Sequence, residues 1–213
     1  MNYIENIYVC IAAPLLVAIM CMHRDNRRLL IFFFAGMTSC LLSAYISTFL
    51  AGLYGVDLQS ASLEITPLVE ESMKLLPVLF YMLVFEPTRR QISGGSLMTA
   101  AGFATFENVC YLTANGAEHL TRLVIRGFGT GSMHVVCGAM TAIGLVYLWD
   151  KLWLQMAGTV GLLAVAITYH GLYNILASQR GIASTVGFLV PVLSPLVYLI
   201  LRRHYPHIFM TDS

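Results

Sequence analysis

The stretch ITPLVEESMKLLPVLFYMLVF, residues 65–85, sets Glu70, Glu71 and Lys74 inside an apolar run of about the 20 residues that a helix needs to cross a hydrocarbon core. Charged groups in a bilayer cost several kcal/mol each, so they tend to face a protein interior and mark a working site. Apolar runs of similar length flank this one along the chain. The expected helices are about 4–22, 29–53, 65–85, 97–113, 127–149, 154–176 and 184–201. Of the 213 residues 58% are hydrophobic and 11% charged, against about a quarter charged in a soluble domain. The fold expected is an all-α, polytopic transmembrane bundle of about seven spans, forming a single membrane-embedded domain over residues 1–213.

Basic residues orient the bundle. The loops after odd-numbered spans hold Arg24, Arg27, Arg28, Arg89, Arg90, Lys151, Arg202 and Arg203, and the other side holds Arg122, Arg126 and Arg180. Lys and Arg accumulate in cytoplasmic loops, so the N-terminus is expected outside and the C-terminus in the cytoplasm. The first run follows MNYIEN, which lacks a basic leader region, and is read as a retained span in the cell (inner or plasma) membrane. A net charge of +1 and the lack of a dense Lys/Arg cluster exclude nucleic acid as a partner. Cys10, Cys21, Cys40, Cys110 and Cys137 form no CxxC pair and read as packing residues.

Beyond Glu70, Glu71 and Lys74, ionisable groups within the spans are Glu107, His134 and His170, accompanied by Asn108 and Asn174. At 1.5 Å of rise per residue, Glu71, Glu107, His134 and His170 each lie roughly 9–10 Å below the outer end of their spans. Four groups on four helices sharing one depth are expected to meet. Gly127, Gly129 and Gly131 just before His134 are expected to let the fifth span approach its neighbours. Pro67 and Pro77 are expected to kink the third span around the acidic turn. Tyr3, Tyr147, Trp149 and Trp153 read as interfacial anchors.

Two imidazoles and a carboxylate can hold a divalent ion such as Zn2+ with one position left for water, which makes Glu107, His134 and His170 the candidate ligands. Glu70 or Glu71 would take the proton from water, with Lys74 as the neighbouring positive charge and Asn174 donating to the oxyanion. A metal-free route, in which Glu70 or Glu71 activates water directly while His170 and Asn174 stabilise the oxyanion, satisfies the same chemistry. Carboxylate and histidine chains also line ion pathways, so a proton or divalent-metal transporter is the alternative, and a helix-binding scaffold a third reading.

Three short patterns occur in order: Glu70-Glu71-Ser-Met-Lys74 fits EExxK, Phe103-Ala-Thr-Phe-Glu107-Asn108 fits FxxxEN, and His170-Gly-Leu-Tyr-Asn174 fits HxxxD/N. Over residues 66–176 the chain thereby resembles the PrsW family of bacterial intramembrane proteases, and more distantly the CAAX prenyl and Abi proteases. The resemblance implies catalytic roles for Glu70, Glu71, Glu107, His134 and His170. It also implies a single-pass, membrane-anchored substrate, such as an anti-sigma factor, cut at site 1 near the outer face. Glu107 and Lys74 depart from the CAAX and Abi pattern, which makes prenylated substrates unexpected; Asn174 stands where that family can have Asp, which removes a second base there.

Overall fold

A helix that ends in lipid must satisfy its own backbone, and the computed structural model, which describes residues 4–115, 120–147 and 152–204, contains helices and no strand among them. The helices are α1 (Ile4–Cys21), α2 (Arg24–Tyr54), α3 (Leu58–Glu64), α4 (Thr66–Phe85), α5 (Arg89–Asn115), α6 (Leu120–Tyr147), α7 (Leu152–Ser178) and α8 (Ile182–His204). Seven of them correspond to the expected spans. By length and composition α1, α2, α6 and α7 are apolar enough to cross a membrane, whereas α4 carries three charged residues and α5 opens on Arg89 and Arg90.

Two local features depart from the sequence reading. The segment expected as an outer loop contains α3, because the Asp57 carboxylate caps the Gln59 and Ser60 amides at 2.9 and 3.0 Å. The Ser60 amide and hydroxyl hold that carboxyl below its ordinary range. Helix α5 starts at Arg89 rather than near 97, since Thr88 and Gln91 form a reciprocal capping box, Thr88 N to Gln91 Oε1 at 3.0 Å and Gln91 N to Thr88 Oγ1 at 3.4 Å. Helix α4 runs unbroken from Thr66 to Phe85: Pro67 begins it, where a missing amide costs nothing, and the helix continues through Pro77.

Lipid tails give apolar side chains no drive to leave them, so close packing holds the bundle together. It is closest between α2 and α5. A Cβ added at Gly36 would stand 2.0 Å from the Thr99 carbonyl oxygen, and one at Gly102 would stand 2.0 Å from that of Phe33. Of the glycines expected to let the fifth span approach its neighbours, Gly129 does so and the other two do not. Gly129 packs on the Phe188 ring of α8, while Gly127 and Gly131 face open space.

At one end of the bundle, Phe32, Leu75, Val78, Met82, Ile92, Leu145 and Val146 form an apolar plug. Met37, Cys40, Phe103 and Phe106 pack against α1, and Met133, Cys137, Ala166 and Tyr173 join α6 to α7. Leucines, valines and phenylalanines such as Phe49, Phe80, Phe128 and Leu189 cover the outside, as suits a lipid-facing surface. Trp153 is exposed; Tyr3, Trp149 and the Tyr147 side chain lie outside the described residues.

Candidate active site

The buried charged and imidazole side chains among the described residues are Glu70, Glu71, Lys74, His134 and His170, and they form one cluster. Helical spacing sets the first three. Glu71 and Lys74, three apart on α4, share a face, and Lys74 Nζ donates to Glu71 Oε1 at 2.7 Å. Two further bonds complete the network: Lys74 Nζ reaches His134 Nδ1 on α6 at 2.9 Å, and His170 Nδ1 on α7 donates to Glu71 Oε1 at 2.7 Å. Glu71, His134 and His170 are each 2% exposed or less, so these bonds work in a low dielectric where a missing partner would be costly.

Helix α5 supplies a floor and a wall. Phe103 and Glu107 lie four apart on one face. The Phe103 ring sits 4.9 Å from the His134 ring and 5.1 Å beneath the Lys74 ammonium, which gives a physical use to the aromatic of FxxxEN. Glu107 Oε2 accepts a bond of 2.5 Å from His134 Nε2. The two imidazoles meet edge to face at 5.1 Å. Residues on four helices, matched by depth in the sequence, therefore converge.

The glutamates are placed differently from one another. Glu71 Oε1 accepts from both Lys74 and His170, and Glu71 is 2% exposed. Glu70 Oε2 is buried without a hydrogen-bond partner among the described residues and stands 3.7 Å from His170 Nε2. Glu70, His134 and His170 each offer a donor atom within 4.8 Å of the others. Sequence spacing pointed to Glu107 as the carboxylate beside the two imidazoles; Glu107 Oε2 stands 2.5 Å from His134 Nε2, next to that trio. Two imidazoles plus one unsatisfied carboxylate are a donor set that suits a divalent transition metal, so the residues fit a metalloprotease centre.

Glu70, Glu107 and His170 reach a cavity of about 1310 Å³, lined also by Arg126 and Asn174 among others, with Glu71, Lys74 and His134 behind them. Its walls come from α3, the start of α4, the end of α5, the start of α6, the end of α7 and the start of α8, which alternation of the chain gathers at one end of the bundle. Asn174 lines it but donates its Nδ2 to the Ser62 carbonyl at 3.0 Å, tying α7 to α3. Tyr173 and Thr130 share a 2.6 Å bond behind it.

Arg126 was outside the sequence's site residues. Reading the fifth span from 127 put it in a loop, whereas α6 begins at Leu120 and carries Arg126 on the cavity wall. A signal was present: Arg126 lies eight residues, just over two turns, before His134.

A family model described as PrsW family intramembrane metalloprotease matches residues 25–200. No curated protein and no solved structure matches the chain.

Proposed function

The chain belongs to the PrsW family of intramembrane metalloproteases, and from that premise we propose how its own residues divide the work of peptide hydrolysis. It is a multi-pass membrane peptidase; the substrate, the ion and the assignment of side chains are our reading. The observation that carries it is the meeting of Glu70, Glu71, Lys74, Glu107, His134 and His170 from four helices beside one cavity.

Glu70, His134 and His170 would hold the ion, which we take to be Zn2+ from the nitrogen and oxygen donors. When bound, such an ion polarises the scissile carbonyl and makes water a stronger nucleophile. Glu71 positions His170: by accepting its Nδ1–H it turns Nε2 toward Glu70, the supporting bond that metal-binding histidines characteristically make. Lys74 fixes the Glu71 carboxylate and donates to His134 Nδ1, so that the ring proton of His134 resides on Nε2 and is shared with Glu107. Glu107, as the ionised carboxylate accepting that hydrogen bond, is placed to take a proton from attacking water and return it to the leaving amine. Ligand and base are exchanged between Glu70 and Glu107 relative to the sequence reading. Asn174 holds α3 on the cavity wall rather than serving the oxyanion.

The whole chain, residues 1–213, acts as one domain with seven spans, the N-terminus outside and the cavity opening outward in the cell membrane. The substrate is a single-pass membrane protein of the anti-sigma type, cut near the outer face. A conducting pathway is disfavoured because the opposite end of the bundle is filled by the apolar plug around Phe32, Val78 and Leu145.

Purified protein in liposomes with a single-pass substrate, combined with metal analysis, tests this reading. Glu70→Gln should lose both metal and cleavage; Glu107→Gln should keep the metal and lose cleavage. The reverse pattern would restore the ligand set read from sequence. Cleavage at the wild-type rate by both Glu71→Gln and His170→Ala would remove the active site altogether.

A further inference from the structure

Arg126 belongs to none of the three motifs, yet its guanidinium lies on the cavity wall beside the catalytic cluster. Its plane is fixed: the guanidinium carbon stacks 3.6 Å from the Tyr111 ring centroid. Its side chain is 25% exposed, and its Nε is buried with no hydrogen-bond partner among the described residues. Nη2 reaches Glu107 Oε1 at 3.4 Å, well beyond the roughly 2.7–2.9 Å of a charge-assisted bond. Glu107 gives its short bond to His134 instead. A structural ion pair would close that gap; this one leaves a planar fork with donors to spare.

The surroundings say what the fork would take. Among the described residues the acids lining the cavity are Glu70 and Glu107, and the cations are Arg126 and Arg180. Gln59, Ser62, Thr121 and Asn174, which also line it, carry no charge. Among the described residues Glu107, at 3.4 Å, is the lining acid placed against Arg126, and its short bond goes to His134, so a ligand carboxylate on the wall meets a guanidinium whose charge is only loosely paired. The two Glu107 oxygens face Arg126 and His134 respectively, so the guanidinium stands one carboxylate's breadth from the cluster. An extended peptide advances about 3.3 Å per residue, which brings a side chain about one or two residues from the scissile bond onto the fork.

The geometry points to Arg126 as a specificity-determining residue that binds an Asp or Glu side chain of the substrate next to the scissile bond. Guanidinium is the side chain best matched to a carboxylate, and a site built for such a bond discriminates against the amide analogue. This inference rests on the proteolytic reading above.

The probe is a transmembrane peptide library with its outer flank randomised, incubated with the reconstituted full chain and read by mass spectrometry of the products. The wild type should enrich Asp and Glu over Asn and Gln by about tenfold or more at one position beside the cut. Arg126→Gln should bring that ratio to about one while still cleaving. Arg126→Lys, which keeps the charge but not the fork, should lower it severalfold. Cleavage without acid preference in the wild type, or a ratio unchanged in Arg126→Gln, overturns the inference and leaves the protease standing. If Arg126→Gln gives no active protein, a wild-type ratio retained by Arg126→Lys overturns it equally. No cleavage of any library member would overturn both.

Discussion

Replacing Glu71 by Gln keeps the shape of the side chain and removes its charge, and the structure allows the consequence to be worked out. Lys74 Nζ and His170 Nδ1 both donate to Glu71 Oε1 at 2.7 Å, and the Lys74 and Glu71 side chains are 6% and 1% exposed. The variant leaves a buried ammonium without its counter-charge. Breaking a buried pair from one side costs about 3–5 kcal/mol, a large share of a total of about 5–15 kcal/mol. Removing both charges, in Glu71→Gln with Lys74→Met, lifts most of that penalty because no unpaired charge remains. Activity should behave oppositely. The His170 ring loses its carboxylate partner in either variant, and loss of such a supporting bond costs about 10–100-fold in metal affinity or activity. The assay is thermal and denaturant unfolding in detergent, run beside cleavage of a single-pass substrate. A single variant less stable by about 3 kcal/mol or more, a double variant recovering more than half of it, and both inactive is the expected set. A stable single variant would show that the pair is solvated, and an active double variant would show that Glu71 is structural only.

Gly36→Ala and Gly102→Ala should each destabilise by about 3 kcal/mol or more, since the new methyl meets backbone oxygen that no rotamer can move; Gly131→Ala should be neutral or slightly stabilising in the same unfolding assay, because nothing lies within 4 Å. Chelation should abolish cleavage and lower the unfolding midpoint, and Zn2+ should restore both; a chelated protein of unchanged midpoint and activity would favour the metal-free route. Metal retention should fall as pH falls, because His134 Nε2 must be free of its proton to act as a ligand, and this is read by metal analysis after dialysis at a series of pH values. Asp57→Ala should loosen α3, seen as faster amide exchange of Gln59 and Ser60, and raise KM more than it lowers kcat, because α3 is a cavity wall and not part of the cluster. The folded Asp57 carboxyl titrates below its ordinary range, so this cap is fully present above the unfolded carboxylate range and disappears only as pH falls through its depressed value.

The apolar runs, the three motifs and the depth of their ionisable groups were legible because they depend on local periodicity and on the cost of charge in lipid. Those two constraints suffice to say that Glu71, Glu107, His134 and His170 share a plane, and the helices do bring them together. Two helix starts were legible in principle, in the Asp57 cap and the Thr88–Gln91 box, but the surrounding Gly, Ser and Arg residues outweighed them in a reading based on hydropathy. The early start of α6 mattered most, since it carried Arg126 from a loop onto the cavity wall.

The sequence by itself determined which helices carry charge and at what height. Which oxygen faces which nitrogen was decided only in three dimensions. Glu70 and Glu71 are neighbours of identical chemistry on one helix, and a turn of about 100° between adjacent residues sends Glu71 to Lys74 and His170 and leaves Glu70 Oε2 unpaired. That rotation is fixed by how α4 packs on α2, α5 and α7, through contacts between residues far apart in the chain. Helical spacing shows which residues share a face, and only the packed bundle shows what that face meets.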